Sequence, residues 1–336
     1  MLKARVGISL IASSLLSILS FDPWVGAQQN PPPKVSIAYS SFNMPASLVW
    51  IAKDDHLFAK HGLDLELIYI PGGTTVMAAL VSGNINFAQL TGSPGAYAFL
   101  GGADVVYLAA SMESMSYQIV VRPEIRAPQD LKGKRFGISR FGSSPDVAAR
   151  MAMRKLGLNP DTDVSIIQAG SSPERLAALL GKKIDATVLN APFDRVAEKY
   201  NLRIVADTGK MGIPYFDTGI VTTRRFLKNN EENTLRFLRA YVEAIKVFKT
   251  SKSHAKEVAG RYSRLNDPEA LEDAYSYFVD KIPRYPYPTA PGMRTVLEEI
   301  ARNNPRARNI KPQDLIDSRF VKELQLSGFI DNLYKE

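Results

Sequence analysis

The sequence predicts an α/β protein built from two similar lobes, on the basis of three observations. Short apolar strands alternate with amphipathic helices along most of its 336 residues. A segment that begins Ala-Ala-Leu occurs twice, at residues 78–94 and 177–192, so that Ala177 lies 99 residues after Ala78. Two extended apolar segments lead the chain out of the first lobe and back into it, which is the arrangement of a two-strand hinge.

Each copy of the repeat consists of a small-residue helix, a glycine turn, a short apolar strand and a polar loop. The first copy ends at Thr91, Gly92 and Ser93, and the second copy ends at Asn190. This order is half of a β–α–β crossover, which predicts parallel strands with a helix on one face. Ligands bind at the carboxyl ends of such strands. The repeat therefore predicts two lobes that present polar loops to a shared cleft.

The first lobe begins with alternating apolar residues at 35–39 and 63–70, which predict two strands. Between them, Pro45 suits a first helical position, and the helix is predicted to run toward Asp55. Residues 105–110 form an apolar run that predicts a further buried strand.

In the second lobe, residues 135–139, 164–168 and 202–206 predict strands, and 146–156 predict the helix after the first of them. After Arg224 the chain is predicted to be helical almost to its end. The apolar stripe of its first long helix consists of Leu235, Leu238, Tyr241, Val242, Ile245 and Phe248.

The two extended segments that connect the lobes divide the chain into two predicted lobes. Residues 34–121 and 218–336 form lobe 1, which includes the C-terminal helices, and residues 122–217 form lobe 2. Closure of the lobes about the hinge would hold a ligand between them.

The N-terminus has the pattern of a secretory signal peptide: two basic residues, an apolar run and small residues ending at Ala27. We expect residues 1–27 to be cleaved and residues 28–33 to form a short disordered leader, which places the mature protein in the periplasm. A membrane-spanning helix is the weaker interpretation, because serines interrupt the run and Asp22 and Pro23 follow it.

Composition excludes several kinds of protein. The chain has no cysteine, which excludes disulfides, thiolate metal sites and catalytic thiols. Its net charge is +8, but the basic residues are scattered along helices without interleaved aromatic residues, so we predict no nucleic-acid partner.

The sequence also lacks the motifs of an enzyme. It contains no nucleophile elbow, phosphate loop or dinucleotide-binding motif. His56 and His61 are five residues apart, which places them on different helix faces and not in the i, i+4 pair of a metal site. We therefore predict no catalytic residue, no metal and no cofactor.

Polar loops at the predicted strand ends supply the candidate ligand-binding residues. Ser144 precedes Pro145 and is predicted to cap the following helix, whose free amides and positive dipole end suit an anion. Capping without a ligand is the alternative, but several such loops converge at one edge of the two sheets. The predicted set is Ser41, Asn43, Gly73, Thr74, Thr91, Gly92, Ser93, Arg140, Gly142, Ser143, Ser144 and Asn190.

Two members of this set have clear alternatives. Arg140 could pair with an anionic group of the ligand or be an ordinary surface arginine, and Asn190 could bind the ligand or only form a turn. The apolar residues Phe42, Met44 and Phe141 could line the site or belong to the core.

Four segments resemble one protein family. They are W-I-A-K at 50–53, L-F-A-K-H-G-L at 57–63, A-L-V-S-G-N-I-N-F-A at 79–88 and D-L-K-G-K-R-F-G at 130–137. Over roughly residues 35–248, the chain resembles the solute-binding proteins of nitrate, sulfonate and taurine ABC importers.

The resemblance implies a type II periplasmic-binding-protein fold and a small organic solute, anionic like a sulfonate, nitrate or carboxylate, held between the lobes. It further implies delivery to the transmembrane subunits of an ABC permease by a monomeric protein that is not an enzyme. An exported enzyme, or a relative of the thiamine-pyrimidine synthases on the same scaffold, is the alternative. Those synthases depend on a cysteine-rich motif that this chain lacks. A sensory binding protein that docks to a receptor is a third possibility.

Overall fold

The computed structural model describes residues 31–335 of the chain. The predicted signal peptide at 1–27 and the first part of the predicted leader lie outside the described residues, and both stay predictions. Within this range, residues 32–335 form one compact unit. No helix within the described residues combines the length and the apolar character that a membrane crossing requires.

Ten strands occur within the described residues. They are β1 (Lys34–Tyr39), β2 (Asp64–Tyr69), β3 (Phe87–Leu90), β4 (Val105–Ser114), β5 (Gln118–Val121), β6 (Lys134–Ile138), β7 (Val164–Gln168), β8 (Ala186–Leu189), β9 (Arg203–Asp207) and β10 (Pro214–Thr223).

Fourteen α-helices occur in the same part of the chain. They are α1 (Ser47–Asp54), α2 (Leu57–Lys60), α3 (Gly73–Val81), α4 (Gly92–Leu100), α5 (Ser144–Lys155), α6 (Ser172–Leu180), α7 (Phe193–Lys199), α8 (Arg224–Asn229), α9 (Glu231–Thr250), α10 (Lys252–Ser263), α11 (Pro268–Phe278), α12 (Ala290–Ala301), α13 (Arg319–Leu326) and α14 (Phe329–Asn332). Short 3-10 turns lie at Met44–Ala46, Pro128–Leu131, Thr208–Met211, Pro305–Asn309 and Pro312–Leu315.

The strands form two five-stranded sheets with the same plan. The first has the order β2-β1-β3-β10-β4, and the second has the order β7-β6-β8-β5-β9. β1 is parallel to β2 and β3, as β6 is parallel to β7 and β8. β10 in the first sheet and β5 in the second are antiparallel to both of their neighbours. The repeated strands β3 and β8 occupy equivalent places, as the duplicated segment predicts.

The pairing of β5 differs from the predicted lobe boundary at residue 121. β5 pairs with β8 and β9 of the second sheet, so the chain leaves the first sheet after Ser114. All four residues of β5 are buried. A short strand buried on both faces has the same apolar sequence in either sheet, so composition could not assign it. On the return, β10 already pairs with β4 at Pro214, four residues before the predicted start of lobe 1 at residue 218.

The predicted apolar stripe on α9 is the centre of the first lobe's core. Leu238, Tyr241, Val242, Ile245 and Phe248 are fully buried, and Leu235 is partly buried against them. This face of α9 packs on α1, whose own apolar residues are fully buried. Because α1 is packed firmly against α9, it fixes the loop between β1 and α1, which contains the candidate residues Ser41 and Asn43.

Candidate ligand-binding site

A cavity of about 60 Å³ lies between the two sheets, at the carboxyl ends of their parallel strands. The loops after β1, β2 and β3 contribute to it from the first lobe, and the loops after β6 and β7 contribute from the second lobe. Six of the twelve predicted residues line the cavity: Ser41, Asn43, Gly73, Thr91, Ser143 and Ser144.

Three further predicted residues are not among those that line the cavity. Ser93 is fully buried, and its Oγ is 3.5 Å from Oγ1 of Thr91. Gly92 packs closely against Phe216, so close that a Cβ at Gly92 would lie 3.0 Å from the Cβ of Phe216. Asn190 is 1% exposed, and its Nδ2 has no partner among the described residues. The structure does not place these three residues on the cavity surface.

The other three belong to a contact between the lobes. The side chain of Arg140 reaches from the second lobe to Gly72 of the first, where a Cβ would lie 2.7 Å from Cδ of Arg140. Gly142 lies beside Thr74 and Tyr97 of the first lobe. Gly72 and Gly142 both have positive φ values, +86° and +74°, which favour glycine at these two positions of close approach.

The cap of α5 is one residue earlier than predicted. Ser143, and not Ser144, is the N-cap, with extended φ and ψ values of −77° and 166°. Its Oγ donates to the carbonyl of Arg140 at 2.5 Å and lies 2.7 Å from Oγ of Ser139. Ser144 is the first helical residue, and its Oγ faces the hydroxyl of Tyr215 at 3.5 Å. The amides of the first turn of α5 are thus left free of the cap's hydroxyl group.

Arg175 of α6 lines the cavity and was not among the predicted residues. It is 1% exposed, and its guanidinium donates to four groups: Oγ1 of Thr187 at 3.1 Å, Oγ of Ser172 at 3.2 Å, and the carbonyls of Gly170 at 2.6 Å and Val188 at 3.0 Å. All four acceptors are neutral, and no carboxylate of residues 31–335 forms a salt bridge with it. Burial lowers its pKa to about 10, so it is cationic at neutral pH.

Asp217 of β10 lines the same cavity from the first lobe. It is 1% exposed, and its Oδ2 accepts a hydrogen bond of 3.0 Å from Oγ of Ser116. Its Oδ1 has no partner among the described residues. Burial raises the pKa of this carboxyl group to about 7. Such a group is costly in a protein interior unless something pairs with it.

The pKa of Tyr117 responds to the charges of both of these residues. Tyr117 is 5% exposed and lines the cavity. Burial is the main cause that raises its pKa, the negative charge of Asp217 raises it further, and the positive charge of Arg175 opposes the rise. The Tyr117 side chain is therefore within electrostatic reach of both groups, and the cavity has a cationic part and an acidic part.

Ion pairs also join the two lobes away from the residues that line the cavity. Arg154 of α5 pairs with Glu299 of α12, which is also held by Arg302 at 3.0 Å. Lys199 of α7 lies 2.8 Å from carboxylate oxygens of both Asp267 and Glu269. These contacts hold the second lobe against the C-terminal helices of the first lobe.

Residues 28–263 match the sequence model of the NMT1-like family. The chain belongs to this family. It is 28% identical to the taurine-binding periplasmic protein of Escherichia coli (strain K12) over 237 residues, which cover 69% of the chain and 70% of that relative.

Two solved structures have the fold of this NMT1-like chain. One is a Bordetella bronchiseptica RB50 protein, with a TM-score of 0.79, 21% identity and coverage of 90% of this chain and 98% of that one. The other is the alkanesulfonate-binding protein SsuA from Xanthomonas axonopodis pv. citri bound to MOPS, with a TM-score of 0.71, 18% identity and coverage of 86% and 99%. The predicted family and the predicted two-lobe periplasmic-binding fold are confirmed.

The histidines of this NMT1-like chain do not line the cavity. His61 contacts Glu243 at 3.0 Å, and His254 contacts Asp55 at 2.8 Å, both in the first lobe. Within the described part of the chain, no three side chains of His, Cys, Asp or Glu converge on a common point where a metal could bind. The titratable groups at the cavity are those of Tyr117, Arg175 and Asp217, with Arg175 the positively charged one.

Proposed function

We propose that this protein is the substrate-binding component of an ABC importer and captures a small anionic solute between its lobes. The observation that carries the proposal is the buried guanidinium of Arg175, whose hydrogen bonds all go to neutral groups. A buried cation without a carboxylate partner is costly, and an anion in the cavity would offset that cost. An anionic oxygen at this point would also gain charge-assisted hydrogen bonds.

Hydroxyl and amide groups around the cavity complete the proposed anion site. Ser41 and Asn43 face it from the first lobe, and Ser144 faces it from the second lobe. A ligand that contacts both lobes stabilises the closed arrangement over an open one, because it gains its full set of contacts only there. Sulfonates, nitrate and carboxylates are the anions we propose, and the names of the taurine-binding and alkanesulfonate-binding relatives support a sulfonate.

The same proposal includes the partners and location. We place the mature protein, without residues 1–27, in the periplasm as a monomer that delivers its ligand to the transmembrane subunits of a permease. Catalysis is not part of this function. The alternative of an exported enzyme predicts that a bound ligand is converted, so mass spectrometry of the ligand recovered after incubation separates the two.

The test is calorimetric titration of the protein from Gln28 with ethanesulfonate, 2-aminoethanesulfonate, nitrate, propanoate and 3-aminopropanoate. We expect at least one of these compounds to bind wild type through its anionic group, and Arg175→Gln to lose at least a hundredfold in affinity. Arg203→Gln removes the same charge from an exposed position of the same lobe and should bind as wild type does. Circular dichroism checks that both variants are folded. Equal binding by wild type and Arg175→Gln would refute the role of Arg175.

A further inference from the structure

We infer that a groove on the first lobe binds a segment of a partner protein in which acidic and apolar side chains alternate. The groove has a volume of about 500 Å³ and lies between α12 and the 3-10 turns at Pro305–Asn309 and Pro312–Leu315. Within the described part of the chain, no residue lines both this groove and the cavity between the lobes. The inference therefore concerns a different surface and goes beyond the proposed function.

The first step is the charge around the groove. Glu298 is the acidic residue of its lining, and Arg302 of the same lining donates to Glu299 at 3.0 Å. The lining has four basic residues with exposed side chains: Arg294, Arg302, Arg308 and Lys311. Apart from Arg302, these basic side chains form no salt bridge within residues 31–335. The groove thus keeps an excess of positive charge, and carboxylates of a partner would complement it.

The second step is the apolar floor of the groove. Leu297, Ala301 and Ala307 line it and are at most 6% exposed, because they belong to a hydrophobic core. The partly buried Ile310 packs against the same core. An apolar centre with a charged rim is the usual arrangement of a protein interface. Apolar side chains between the acids of a partner would cover the floor, whereas an inorganic anion would leave it in contact with water.

The third step is the shape of the groove, which favours a peptide over a membrane surface. Three of the four basic residues are arginines, whose planar guanidinium groups pair with carboxylates through two hydrogen bonds. Lipid phosphates could pair in the same way, but a bilayer presents them as a layer that is nearly flat on this scale. The floor is recessed between α12 and the turns, and the side chains of a peptide can enter it.

Three peptides test the inference on the wild-type protein from Gln28. The probe is acetyl-G-E-L-D-V-E-G-amide with a fluorescent label, and fluorescence anisotropy at low ionic strength measures its binding. One control peptide has the corresponding amides in place of the acids, and the other has serine in place of leucine and valine. We expect the probe to bind tenfold or more tightly than either control, and added salt should weaken its binding. No detectable binding of the probe, or equal binding of either control, would overturn the inference.

A double substitution then assigns the binding to the groove. Arg294→Glu combined with Arg308→Glu should lower the affinity for the probe at least tenfold, because it reverses two charges of the rim. Arg126→Glu combined with Arg203→Glu makes the same change of net charge at exposed positions of the second lobe and should bind the probe as wild type does. Equal losses in the two variants would show that net charge alone attracts the probe, which contradicts a site in the groove. The comparison of peptides on wild type does not require either variant to fold.

Vesicles of phosphatidylglycerol and phosphatidylcholine test the alternative partner. We expect the double substitution in the groove to leave the binding of such vesicles as it is in wild type. If wild type binds the vesicles through the two arginines and does not bind the probe, the groove recognises a membrane surface and the inference of a peptide partner is wrong.

Discussion

Arg175 and Asp217 line one small cavity from different lobes, yet they do not form a salt bridge with each other. Each is almost fully buried, and each lacks a partner of opposite charge among the described residues. Closure of the lobes brings both residues to the same cavity but leaves each without its counter-ion. The bound solute, and not the protein alone, would then complete the closed state, which is how a binding protein couples closure to ligand capture.

The ligand-free protein should lose stability as the pH rises from 5 to 8. Burial raises the pKa of Asp217 to about 7 and that of Asp194 to about 6, both above the value of a carboxyl group in an unfolded chain. The folded state therefore holds protons that the unfolded state releases, so the free energy of unfolding falls as the pH rises through these values. Between pH 5 and pH 8, the titration of Asp217 should lower the free energy of unfolding by about 2–3 kcal/mol.

Urea unfolding at the two pH values measures this difference. In Asp217→Asn, the free energy of unfolding should fall by about 2–3 kcal/mol less between these pH values than in wild type. Asp64→Asn changes an exposed carboxyl group of β2 and should show the same fall as wild type. Tyr117, Tyr215 and Tyr277 face the carboxyl group, and burial raises the pKa of each, so they stay neutral throughout. The same fall in Asp217→Asn as in wild type would show that the Asp217 carboxyl group does not titrate in this range.

The affinity for 2-aminoethanesulfonate should depend on pH in the opposite direction to stability. Asp217 must be ionised to pair with an ammonium group, so the affinity should rise more than tenfold between pH 5.5 and pH 8 and level off about one pH unit above the carboxyl pKa of about 7. Calorimetric titrations across this range measure the change. A decrease with rising pH would instead mean that the protonated carboxyl group donates a hydrogen bond to the anion, which contradicts this prediction.

The fold could be predicted from the sequence because its signals are local and repeated. Alternating strands, glycine turns and the duplicated segment each predict the same parallel units, and the sheets have that plan. Half of the residues predicted at strand ends line the cavity, since loops after parallel strands meet at one edge, and their contact with a ligand stays a prediction. The sheet that contains β5 could not be predicted, because hydrogen bonding to distant strands decides it.

Arg175 was missed although the repeat contained a signal for it. With Ala78 aligned on Ala177, the position of Arg175 corresponds to Val76, which is a fully buried core residue. A charge at a position that is apolar in the other copy indicates a special environment. Asp217 gave a similar signal as a lone acid in the apolar strand at 215–223. Neither signal shows what the side chain contacts, because the fold decides which groups surround it.

Gly72→Ala should weaken both stability and ligand binding. The residue has a φ of +86°, where a Cβ costs about 1–2 kcal/mol, and the new Cβ would lie 2.7 Å from Cδ of Arg140. The contact would push the Arg140 loop away from the first lobe, and we expect a fivefold or greater loss of affinity. Gly102→Ala is the control, because Gly102 has a φ of +90° and nothing within 4 Å of the new Cβ. Urea unfolding should show similar losses of stability in both variants, and titration should show lost affinity in Gly72→Ala alone.

Glu299→Gln should favour an open arrangement of the ligand-free protein. Glu299 is 9% exposed and pairs with Arg154 of the other lobe, so its loss leaves Arg154 without this inter-lobe partner. The substitution removes the Arg154–Glu299 ion pair, which stabilises only the closed state. The free energy of the closed state therefore rises relative to that of the open state, and the equilibrium shifts toward opening. We expect a larger radius of gyration without ligand by small-angle scattering and about a threefold to tenfold loss of affinity. The affinity loss corresponds to about 1 kcal/mol.

The control for this effect is an ion pair within one lobe. Glu272 pairs with Lys256 at 2.8 Å, and both residues belong to the first lobe. Glu272→Gln should therefore leave the radius of gyration and the affinity unchanged, even if it costs some stability. A ligand at saturation should restore the wild-type radius in Glu299→Gln, because binding favours the closed state again. If the two variants have the same radius without ligand, the Arg154–Glu299 pair does not control closure, and the ligand contacts alone must supply the energy that holds the lobes together.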